Sequence, residues 1–195
     1  GTLVFSSGST GTGNSGKVML GSGVATVGRG GSISITVGSG TSGSGGMIEF
    51  MSGRSTVNTG GFLSISAGEG TATSSGAIII RSANTGATGG SGMLIFSSGS
   101  SNNGNSGQLT LGTGSATVGR GGFVSMTVGS GTSGRGGFLE MLTGRSTVHS
   151  GGLLNIQSGE GTSSTSGAIS IRTANSGTKG GSGMLIFSSG SAKAG

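Results

Sequence analysis

The feature that most constrains this chain is a fifteen-residue period. Lines that each open on a Ser-Gly or Gly-Gly pair start at Ser15, Gly30, Gly45, Gly60, Ser75, Ser91, Ser106, Gly121, Gly136, Gly151, Ser166 and Ser182. The steps are 15 residues, except Ser75 to Ser91 and Ser166 to Ser182, which are 16. Six lines make a larger period of 91, and residues 15–104 match 106–195 at 59 of 90 positions. The chain therefore divides into a partial coil at 1–14 and two six-coil units at 15–105 and 106–195, and it reads as an excerpt of a longer repeat array.

The columns of this register carry the structural argument. The second position is Gly in every line, the fourth is aliphatic (Leu3, Val18, Ile33, through to Leu185), and the sixth is large and apolar (Phe5, Leu20, Ile35, through to Phe187). Apolar residues two apart share one face of a strand, whereas a helix needs spacings of three or four. One short strand per line, stacked on its neighbours, predicts an all-β, single-stranded β-solenoid (β-helix). It would have about 15 residues per coil, roughly 13 rungs and a 91-residue, six-coil super-repeat, at ~4.8 Å per rung. Two large apolar side chains per rung would fill its core. The ninth position is Gly in most lines and Asn84 or Asn175 in the two long ones, which predicts a left-handed corner there. The long lines would absorb their extra residue as a bulge near Ser82 and Thr173.

The signature [SG]-G-x-φ-x-φ-x-x-G, as in Ser91-Gly92-Met93-Leu94-Ile95-Phe96-Ser97-Ser98-Gly99, resembles Gly/Ser-rich solenoid repeats of secreted surface and fibril proteins of microalgae and other protists. That resemblance implies an extracellular or cell-surface location. In coil length the chain is also similar to the insect antifreeze proteins with 15-residue coils.

Composition narrows the function classes. Gly fills 50 of 195 positions, and Cys, Trp, Tyr and Asp are absent. No Cys-ligated metal site or Asp-rich calcium repeat is therefore available, and no cofactor is expected. The net charge of +6 comes from only 10 Lys/Arg spread along the chain, without a basic run or stacking Trp and Tyr, so nucleic acid is not an expected partner. The longest aliphatic run, Ala77-Ile78-Ile79-Ile80, is far shorter than the ~20 residues of a membrane-spanning helix. Equivalent carboxylates, Glu49 with Glu140 and Glu69 with Glu160, would lie about 29 Å apart in a stacked array. No paired-carboxylate chemistry fits that separation. His149 stands where the other unit has Asn58, as a turn residue. No catalytic residue is assigned and the chain is not expected to be an enzyme.

Three sets of residues remain. Arg54 with Glu69, and Arg145 with Glu160, are 15 apart and would form ladder pairs between adjacent rungs. Such exposed pairs contribute about 0–1 kcal/mol and serve register more than stability. A Thr column (Thr26, Thr41, Thr56, Thr71, Thr117, Thr132, Thr147, Thr162) is the candidate surface for an ice-binding alternative. Against it, the neighbouring columns hold mixed residues rather than a second Thr row.

The third set lies at the outward third and fifth positions: Met47, Phe62, Ile79, Met93, Ile95, Phe123, Phe138, Leu153, Met184 and Ile186. A strip of this length exceeds the few hundred Å² of apolar surface that monomers usually expose. It marks an assembly face for like chains or other solenoid segments. The expected function is a structural component of an extracellular filament, appendage or surface coat, with an adhesin stalk or spacer as a further alternative. The chain has no Asn-x-Ser/Thr sequon, but its many Ser and Thr offer sites for O-linked glycans.

Overall fold

The computed structural model describes residues 1–191; the last four positions of the 106–195 unit lie outside the described residues. The fifteen-residue period shapes the backbone throughout. In the first of two compact units, Gly1–Phe96, the chain bends sharply at 11–13, 26–28, 41–43, 56–58, 71–73 and 87–89. In the second, Ser97–Gly195, it bends at 102–104, 117–119, 132–134, 147–149 and 162–164, with a turn at 178–180. Each line is thus a linear segment followed by a Gly-rich loop.

The loops are pinched at the neck. The amide N–H of the second-position Gly donates to the carbonyl of the preceding line's ninth-position Gly: Gly31 to Gly23 (3.1 Å), Gly61 to Gly53, Gly76 to Gly68, Gly152 to Gly144 and Gly167 to Gly159 (each 2.9 Å), with longer bonds from Gly46 to Gly38 (3.4 Å) and Gly137 to Gly129 (3.3 Å). The eighth-position side chain lies over the same Gly. A Cβ on Gly31 would sit 2.9 Å from Ser22 Cβ, and one on Gly122 would sit 3.0 Å from Thr113 Cβ. Ser22 Oγ and Thr113 Oγ1 also donate to the carbonyls of Gly31 (2.9 Å) and Gly122 (3.4 Å). At Gly31, Gly107, Gly122 and Gly152 the second position is therefore kept small by the close approach of the eighth residue, while at Gly16, Gly92 and Gly167 a Cβ would meet its neighbours at ordinary contact distance. Compact loops whose ends meet in this way are of the Ω type.

Inside several loops the eleventh position is also confined. A Cβ on Gly161 would meet the carbonyl oxygen of Ser164 at 2.9 Å, and one on Gly131 would meet those of Arg135 and Gly134 at 3.1 and 3.2 Å. At Ser55 and Ser146, eleventh in their lines, the hydroxyl takes up a backbone donor instead. Ser55 Oγ accepts from Asn58 N at 2.9 Å, and Ser146 Oγ accepts from His149 N at 2.8 Å.

The β-solenoid expected from the repeat is not formed. Among the described residues there is no helix and no strand, so neither β-helix rungs nor a rung ladder exists. The physical reason lies in where the backbone bonds go. A solenoid needs bonds between residues one coil apart, whereas the neck bonds join residues eight apart and close each line on itself. The amides and carbonyls of the linear segments are left without ladder partners. The expected core is likewise absent. No residue of the described chain is buried, and only Gly70, Ser158 and Gly161 are even half-buried. The left-handed corner also moves. Among the described residues, only Gly8 of the ninth-position residues has a positive φ (80°), and no non-Gly residue does, Asn84 and Asn175 included. The remaining left-handed glycines, Gly13, Gly28, Gly89 and Gly119, end their bends with φ between 90° and 123°.

The extra residue of the long lines is absorbed within the loop. Ser82 packs under Gly92 and Thr173 under Gly183, ten residues on instead of nine.

Candidate assembly face

In most linear segments the fourth position is more sheltered than the third. Fourth-position side chains are about half exposed (Ile48 47%, Leu139 54%), while third-position ones stand almost free (Phe62 88%, Phe138 83%). The most sheltered large side chains, Val37 (39%) and Val128 (41%), sit at the eighth position against the necks.

In the second unit the sheltered face is concave. Val124, Met126, Leu139, Met141, Leu154 and Ile156, from three consecutive lines, line an open hollow of about 810 Å³ together with Asn155 and Gln157. No charged side chain lines it. The sequence reading placed these fourth and sixth positions in a closed core. The structure puts them on an open surface, so this apolar face was missed as a site. The signal for it was present in the two-residue alternation, which defines two faces but does not say what covers either.

The residues of the outward strip are exposed, as are the large apolar residues at the other positions of the repeat. Met47, Phe62, Ile79, Met93, Ile95, Phe123, Phe138, Leu153, Met184 and Ile186 are all exposed. Phe123, Phe138 and Leu153 come from the same three lines as the hollow, so this stretch carries apolar side chains on both faces. The eight threonines of the Thr column each occupy the first residue of a bend, from Thr26 at 26–28 to Thr162 at 162–164. They lie at loop tips, without a sheet beneath them to hold the hydroxyls in a plane. Arg54, Glu69, Arg145 and Glu160 are exposed on the loops that precede and follow the linear segments. His149 ends the bend at 147–149 and its N–H is held by Ser146.

Two polar hollows recur at equivalent places in the two units. Arg81, Ser82, Ala83 and Asn84 enclose about 270 Å³, and Arg172, Thr173, Ala174 and Asn175 about 340 Å³. Both lie where the long lines take up their extra residue. Among the described residues no group of three or more His, Asp or Glu could hold a metal ion, and no helix is long and apolar enough to cross a membrane. No protein-family model matches the chain, and neither curated proteins nor solved structures include a significant match.

Proposed function

We propose that this chain is a structural, non-enzymatic component of an extracellular filament, appendage or surface coat, assembled from like chains through lateral apolar strips. One observation carries the reading: large apolar side chains recur in step along the chain and none of them is buried within it. An isolated chain with this surface has little to hold it in one shape. The loops are held by their own neck and hydroxyl bonds, at about 1 kcal/mol net each, whereas nothing within the chain covers the linear segments. Burial of their apolar residues between chains supplies that stabilisation, at roughly 1.5–3 kcal/mol for each side chain fully covered. The extracellular placement follows the likeness of the repeat to those of secreted surface proteins, and the exposed Ser and Thr hydroxyls of the loops are open to O-linked sugars.

Electron microscopy and turbidity of the purified chain at rising concentration test the proposal. Filaments with a regular axial repeat are expected, and Phe123→Ser with Phe138→Ser should disperse their lateral bundles. A chain that stays monomeric at every concentration removes the assembly reading.

A further inference from the structure

We infer that the hollow of the second unit is the seat for the first-unit apolar stripe of another copy of this chain, so that copies join head to tail. The inference rests on the assembly reading above and specifies which faces meet.

A folded monomer of 18.2 kDa exposes about 8,000 Å². This chain exposes 19,667 Å². The excess is several times the ~800 Å² per partner that a stable interface buries. It is enough for extensive contact with other chains.

The chemistry of the hollow selects the occupant. Its six apolar side chains are uncharged and come in pairs repeated every 15 residues, so a matching partner must present apolar pairs at the same spacing. The chain itself carries such a stripe 91 residues earlier: Ile33 and Ile35, Ile48 and Phe50, Leu63 and Ile65. These too are about half exposed. The two stripes differ at the sixth position. The first unit has the stiff Ile35 and the Phe50 ring, where the second has the flexible Met126 and Met141. Methionine adapts to irregular shapes and makes favourable contacts with aromatic rings. Phe50 is therefore the knob and Met141 the wall that shapes itself around it. A contact between different faces leaves a free seat and a free stripe at its ends, so it adds further copies instead of stopping at a dimer, as an open filament wherever the rotation does not close a ring.

The test uses two variants of the full chain. One blocks the seat (Met126→Ser, Met141→Ser, Ile156→Ser), and the other blocks the stripe (Ile35→Ser, Phe50→Ser, Ile65→Ser). All six residues are exposed, so neither variant removes a buried core. Sedimentation velocity should show wild type assembling, each variant alone dissociated by at least ~100-fold in apparent affinity, and an equimolar mixture restored to a one-to-one dimer and no further. Met126→Leu with Met141→Leu should keep assembling. If each variant assembles as wild type does, or if the mixture stays monomeric, the head-to-tail seat is wrong while self-assembly stands. If wild type itself never associates, the assembly reading falls with it. Phosphatidylcholine vesicles form the last arm. Binding of dilute wild type to them that the seat variant loses would assign the hollow to lipid and overturn the proposal.

Discussion

The pinched loops and the linear segments between them obey different rules. A loop such as 23–31 is completed by its own residues: Gly23 and Gly31 bond at the neck, Ser22 caps Gly31, and the left-handed Gly28 ends the bend. A segment such as 138–142 has side chains on both faces and neither backbone nor apolar partners to complete it. The lesson is one of range. Hydrogen bonds across eight residues need only the right small residues, whereas burying an apolar pair needs something that these short segments do not contain.

The sharpest way to break the comparison is to overfill a loop. In Gly161→Ala the new methyl runs into the carbonyl oxygens of Ser164 and Thr165. The cost of about 2 kcal/mol exceeds what closes the loop, so hydrogen exchange should show the Gly167 amide losing all its protection. Gly28→Ala is next, because φ there is +115° and the substitution costs about 1–2 kcal/mol. The Gly31 amide should exchange faster, while Gly23→Ala, with open space around its Cβ and no positive φ, should leave the neck intact. Ser55→Ala removes the acceptor for the Asn58 amide and should cost about 1 kcal/mol, read as roughly fivefold faster exchange at Asn58, with Ser55→Thr as the retaining control. The smallest effect belongs to the linear segments. In a dilute chain Leu139→Ser should change exchange at the Gly152 neck by less than ~0.5 kcal/mol, because the loop does not depend on that face. A large effect there would mean that segments and loops fold together.

The periodic organisation was largely legible from residue types. The second-position Gly column was plain in the sequence, and the structure supplies a reason for it by placing Ser22, Thr113 and their counterparts against it. The left-handed residue was legible in kind but misplaced, at the ninth position and not at the end of the bend, because Gly stands at both and composition cannot say which one turns. The Thr column was real, but its role depended on a sheet that is absent. Fourth and sixth positions were expected together in a closed core, whereas both stand open to solvent. Alternation reports that two side chains point the same way and carries nothing about the distance to the next line.

By itself, then, the sequence determined the period and the small residues that let the loops close, because these depend on stereochemistry within a few residues. Only the tertiary structure decided which backbone groups pair and whether the sheltered face is filled. Pairing Gly31 with Gly23 closes a line on itself, pairing across fifteen residues would stack it on the next, and both are compatible with the same columns. The choice between them is a balance of loop closure, hydrogen bonding and burial between distant segments, which no local pattern records.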